Sequence, residues 1–156
     1  MMSLRSLKRL LIKLVLCACL SVSLSHAQEI AVIVGADSTI KQLSLKQVQR
    51  IFLRKERLTE QGKQWIPVNL NNHHLQRKIF TEQLLKKSTF ELERYWNEQY
   101  FNGISPPYVL ASEEAVLRFV SETPNALGYI ILCRIDKRVK HVYIIRIKNA
   151  LPELCP

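Results

Sequence analysis

Glu29-Ile-Ala-Val-Ile-Val34 is an apolar, β-branched run ended by Gly35, and after a short polar loop Ser44 precedes Leu45-Lys-Gln-Val-Gln-Arg-Ile-Phe-Leu-Arg54. The first stretch has the composition of a strand buried on both faces. The second changes period: Leu45, Val48 and Phe52 fall on one face of a helix over 45–54, and Ser44 can cap it. A buried strand feeding an amphipathic helix is the unit of an α/β domain. The rest of the chain repeats that alternation.

Downstream, Lys55 to Lys63 is polar, contains Gly62 and reads as a loop, and Trp65-Ile-Pro-Val-Asn69 reads as a second strand. Asn71 and Asn72 can cap a helix from His73 to Lys86 whose Leu75, Ile79 and Leu84 face inward. Ser88 caps a further helix over 89–101, with Phe90, Trp96 and Tyr100 as apolar candidates, and Gly103 ends it by taking a left-handed conformation cheaply. Ser105-Pro-Pro107 enforces an extended segment. A brief strand at 108–111 and a Ser112-capped helix over 113–122 follow, the latter with Val116, Phe119 and Val120 at helical spacing. After the Thr123–Ala126 turn comes a buried strand, Leu127–Leu132. Val139–Lys148 alternates basic and β-branched residues, as an edge strand does. The expected fold is one small α/β domain, a mixed sheet flanked by helices, with no internal repeat and no interdomain linker.

Upstream, the chain is of another kind. Residues 1–13 carry Arg5, Lys8, Arg9 and Lys13 and no acid, Leu14 to Leu24 is apolar apart from small Ser and Cys residues, and Ser25-His26-Ala27 offers a small-x-small end. This is the grammar of a secretory signal peptide, so 1–27 is expected to be removed after Ala27, leaving 28–156 as the domain, periplasmic or secreted. The apolar run falls short of the ~20 residues a permanent span needs, so no stable membrane span is expected after cleavage. An uncleaved anchor is the plain alternative. Leu16-Cys17-Ala18-Cys19 resembles a lipoprotein processing box, but more apolar residues follow Cys19, which makes lipidation the lesser reading.

The 156 residues are 47% apolar and 23% charged, enough for a real core. Removing the four basic residues of 1–27 takes the net charge from +10 to +6. That excess favours anionic partners. Export and the lack of an aromatic-studded basic stripe argue against nucleic acid. Cys133 and Cys155 are the cysteines left after cleavage. They either form a disulfide, worth about 3 kcal/mol by loop closure, or remain a buried Cys133 and a loose Cys155 in the Pro-flanked tail. Neither lies in a C-x-x-C spacing that would support redox catalysis.

Candidate chemistry is sparse. Asn71, Asn72 and His73 at a helix start, with Arg77 one turn in, form the best anion-site candidate. Amides at a helix N-terminus point outward, and a guanidinium supplies a forked pair of donors. Simple Asn capping and a solvated Arg77 would explain the same residues. Gly35, Ser38 and Thr39 end the first strand and would face the same crevice if ligands bind beyond the carboxyl ends of the strands. Loop composition accounts for them equally well. His73 and His74 point about 100° apart on a helix, His141 is distant, and no acidic cluster completes a set, so no metal is expected. No nucleophile motif and no phosphate-cradling loop is present. Enzymatic activity and a cofactor are therefore not expected.

Ordered fragments carry a family resemblance. They are Leu43-Ser-Leu-Lys-Gln-Val-Gln-Arg-Ile-Phe52-Leu-Arg-Lys55, Gly62, Ile66-Pro-Val68, Phe80, Tyr95-Trp96-Asn97, Phe101-x-Gly103 and Pro107. Ser112-x-Glu114-Ala115-Val116, Val120, Thr123-Pro124 and Leu127-Gly-Tyr129 complete the set. Together, over residues 30–132, they resemble the phosphate-binding subunits of phosphate ABC transporters, especially short exported phosphate-binding-like proteins. The resemblance implies a non-enzymatic binding protein for phosphate or another small oxyanion. A full receptor of that family has two lobes that close on the ligand, and this length matches the second lobe alone. A lone lobe can offer half a site, dimerise, or serve as a scaffold docked on an ABC transporter, a sensor or another envelope protein. Three departures stand out. Arg54 replaces the Gly that ends the family's first helix. The family's following Trp falls near Leu58 or Thr59. Asn69-Leu-Asn-Asn-His-His74 stands where the family has a Ser-Gly-Thr loop around phosphate. The resemblance thus speaks more for the fold than for phosphate.

Overall fold

In the computed structural model, residues 29–147 are described; the expected signal segment 1–27 and Cys155 lie outside them. Five strands form one sheet in the order β3-β2-β4-β1-β5. They are β1 Glu29–Gly35, β2 Ile66–Leu70, β3 Tyr108–Leu110, β4 Ala126–Ile131 and β5 Val139–Arg146. β2 runs parallel to β3 and β4, whereas β1 is antiparallel to both β4 and β5, so the sheet is mixed. β1 and β4, interior to the sheet, are almost wholly apolar and bury nearly every residue. β5 lies at the edge, with its basic residues turned outward. It bulges where Val32 pairs with Tyr143 and Ile33 with His141. The carbonyl of Val142 in that bulge accepts the Leu43 N–H at 3.0 Å, which joins the loop before the first helix to the sheet edge.

The first helix, α1 (Leu45–Phe52), starts at Ser44 in a capping box with Gln47. Val48, Ile51 and Phe52 are buried, but Leu45 is 38% exposed, because at the first turn it reaches the rim of a shallow groove beside Tyr143. Arg54 takes a left-handed conformation at φ 56°, where the family resemblance had a glycine. That geometry costs a side chain about 1–2 kcal/mol. Its Nη1 recovers a hydrogen bond to the Trp65 carbonyl at 3.0 Å.

The segment after β2 differs from expectation. In place of one helix over 73–86, α2 is five residues, Leu75–Ile79, and continues as a π-helical turn, Phe80–Leu84. Its N-cap is His74, with no side-chain cap bond, rather than either asparagine. Asn71 turns the chain instead, its Oδ1 accepting the His73 N–H at 3.0 Å. The wider turn has a local cause: the Thr81 hydroxyl donates to the Arg77 carbonyl at 2.9 Å and draws it away from the regular ladder, and at the end of the turn Gln49 Nε2 donates to the free Leu84 carbonyl at 2.6 Å. Phe80 is thereby delivered to the core, stacked on Tyr129 at 3.9 Å and edge-on to Phe52 at 4.6 Å.

α3 (Thr89–Phe101) begins with a Ser88–Glu91 capping box and ends before Gly103, at φ 70°. Only Leu92 is fully buried on it, with Tyr95 and Trp96 packed at its flank. Phe90 and Tyr100, expected inside, are 70% and 74% exposed. Phe90 precedes Leu92 by two positions, about 160° round the helix, so both cannot face the sheet. α4 (Glu113–Glu122), capped by Ser112, buries Val116, Leu117 and Val120, with Phe119 only half-buried. Cys133, which follows β4, is exposed and disulfide-bonded.

Candidate functional site

The carboxyl end of β2 and the elements that follow it build a cleft of about 240 Å³. One wall is polar: Asn69 from β2, Asn72 from the turn, and Arg77, Lys78 and Thr81 from α2 and the π turn. The other is largely apolar, with Leu92 and Trp96 from α3 and Pro106, Pro107 and Val109 from the segment entering β3. Side chains alternate along β2. Val68 faces Gly128 and α4, so Asn69 turns to the opposite side, towards α2 and α3.

Two polar atoms on this wall are buried without a hydrogen-bond partner: Asn69 Oδ1 and Arg77 Nη1. Asn69 is only 3% exposed. Leaving such groups unpaired costs about 1–3 kcal/mol each, more for a charge. The Arg77 guanidinium also reaches Tyr129. Burial pushes the Tyr129 hydroxyl's pKa up, and the Arg77 charge pulls it the other way. The same hydroxyl accepts the Leu70 N–H at 3.4 Å.

Of the residues expected to form an anion site, the structure brings Asn72 and Arg77 to this cleft. Asn71 and His74 are turned to the neighbouring loop: Asn71 Nδ2 donates to the Ala111 carbonyl at 3.5 Å, and His74 Nε2 lies 3.1 Å from the same oxygen. His73 is exposed. Gly35, Ser38 and Thr39 are elsewhere. β1 runs against β2, so its carboxyl end lies beside Ile66, roughly 15 Å along the sheet from Asn71 at ~3.3 Å per residue. Expecting them in one crevice presumed a parallel β1. A Cβ on Gly35 would come 3.2 Å from the Val120 carbonyl, so this glycine lets α4 pack closely. Ser38 Oγ accepts the Ile40 N–H, and its carbonyl takes the Lys140 ammonium. Thr39 lines a separate polar cleft of about 370 Å³ beside Trp65.

Asn69, Lys78, Thr81 and the apolar wall were not foreseen. An asparagine inside an otherwise apolar strand was the available signal for Asn69. The wall comes from distant segments and left none. Among the described residues, no three His, Cys, Asp or Glu side chains gather as a metal site would require, and no helix is long and apolar enough to cross a membrane.

Comparison by sequence finds no protein-family model and no curated protein that matches the chain. Comparison by structure does find similar folds. A Clostridium perfringens protein described as a phosphate ABC transporter substrate-binding protein, with bound phosphate, aligns with TM-score 0.61 and 19% identity over 74% of this chain and 44% of its own. An ABC-type phosphate transport receptor from Vibrio cholerae aligns at 0.60 and 19%, over 74% and 45%. PstS from Borrelia burgdorferi aligns at 0.57 and 16%, over 81% and 49%. The fold is that of part of a phosphate-transport receptor. This chain spans less than half the length of these substrate-binding proteins, as a single lobe would. At such identities the likeness is one of fold.

Proposed function

We propose that the chain is an exported, non-enzymatic binding module of the substrate-binding-protein type that holds a small anion at Arg77. The supporting observation is the buried Arg77 Nη1 without a hydrogen-bond partner, on a side chain that lines an open cleft together with Asn69, whose Oδ1 is also unpaired. The solved structures it resembles are binding proteins for phosphate transport, which agrees with that role. The short α2 supplies no helix-end field of the kind the sequence suggested, so the guanidinium carries the recognition. Removal of 1–27 and delivery to the periplasm or the outside belong to the same reading.

Isothermal titration of residues 28–156 with phosphate and other oxyanions, at protein concentrations near millimolar, tests it. Saturable heat is expected, and Arg77→Ala should weaken binding by about tenfold or more. No heat with any anion would leave a second reading, an envelope scaffold that has lost its ligand and docks on a transporter, sensor or other partner. Exposed Phe101 and Tyr108, at 88% and 68%, are the observation that favours it.

A further inference from the structure

We propose that the Arg77 cleft prefers an organic carboxylate bearing an apolar or aromatic body, with a hydroxyl or amide N–H next to the carboxylate, over a bare inorganic oxyanion. This rests on the anion reading above and narrows it. The two unpaired atoms have opposite senses: Arg77 Nη1 can only donate, and Asn69 Oδ1 can only accept. A fully ionised oxyanion such as sulfate satisfies the first and presents more lone pairs to the second, whereas inorganic phosphate near pH 7 keeps a P–OH donor and is disfavoured only by its higher charge and by the volume it leaves empty. A carboxylate with an adjacent donor satisfies both. Thr81 adds no hydroxyl proton, since it is given to the Arg77 carbonyl.

The remainder of the cleft points the same way. Its charged side chains are Arg77, Lys78 and Glu93, one net positive charge, which suits a monoanion. At about 240 Å³ it holds far more than a tetrahedral ion, since a single water needs only ~10–15 Å³ of such space. The surplus volume is bounded by Trp96 and two prolines, stiff surfaces that lose little entropy on packing against a flat group. An apolar chamber with a few convergent polar groups is the usual make-up of a small-molecule site.

Calorimetry of the mature protein with mandelate, phenylacetate and inorganic phosphate decides the matter. Mandelate is expected to bind most tightly, phenylacetate about tenfold more weakly because it leaves Asn69 unpaired, and phosphate weakest. Asn69→Ala should erase the difference between the two organic acids, and Arg77→Ala should weaken both, with circular dichroism checking that each variant folds. The preference of the unmodified protein stands as a test even if a variant does not fold. Phosphate binding as tightly as mandelate, with both lost in Arg77→Ala, would overturn this inference and leave the anion reading intact. Mandelate binding indifferent to Arg77→Ala would also overturn it, as would no binding by any of the three; the anion reading falls only if the wider oxyanion titration is silent as well.

Discussion

At the scale of single residues, Tyr129 joins core and site. Its ring stacks on Phe80, and its hydroxyl lies between the Leu70 amide and the Arg77 charge. Because burial raises its pKa above the unfolded value of about 10, its neutral form is the one the fold favours. The associated stability is therefore complete below pH 10 and is lost as pH rises through the higher folded value. Urea midpoints followed from pH 8 to 11 should fall at the alkaline end, and Tyr129→Phe should remove part of that fall. An unchanged alkaline slope in the variant would contradict the assignment. Arg77 was legible as a cation one turn into the helix after the second strand. Its unpaired nitrogen and its tyrosine neighbour were not, because they depend on a residue more than fifty positions away. Arg54 was legible only as a departure from a glycine pattern, and its left-handed backbone explains why the pattern has glycine there.

Elements were read most reliably where their signals are local. Ser44, Ser88 and Ser112 each cap the helix that follows, and the buried strands declared themselves by composition. The break in the segment 73–86 was hidden, since a lone threonine does not announce that its hydroxyl will take the carbonyl four residues back. The direction of β1 was hidden too. Nothing in five apolar residues says which way a strand runs, and that ambiguity misplaced Gly35, Ser38 and Thr39. Packing of α4 on β4 depends on Gly128. A Cβ there would meet Val116 Cγ1 at 2.6 Å, Val120 Cγ2 at 3.0 Å and Val68 Cγ2 at 3.1 Å. Gly128→Ala should therefore destabilise by about 1–3 kcal/mol through overpacking, read as a lower denaturant midpoint at unchanged slope. A neutral result would mean that α4 can shift outward freely.

For the molecule as a whole, the open matters are its processing and its closure. Cys133 is disulfide-bonded, and cleavage after Ala27 would leave Cys155 as its one intramolecular partner. Intact mass of the protein recovered from its native host is expected to match residues 28–156 less two hydrogens, and reduction should lower stability by about 3 kcal/mol. A mass retaining 1–27, or a Cys133 linked to another molecule, would refute that arrangement. The sheet itself bears on how so small a unit can stand alone. Glu29 and Arg146 are cross-strand partners, their side chains 3.5 Å apart, so the polypeptide comes into the domain and departs from it at the same doorway. A unit wired in this manner can be spliced into a host's surface loop, or excised from one, by cutting two adjacent threads and leaving every strand pairing whole.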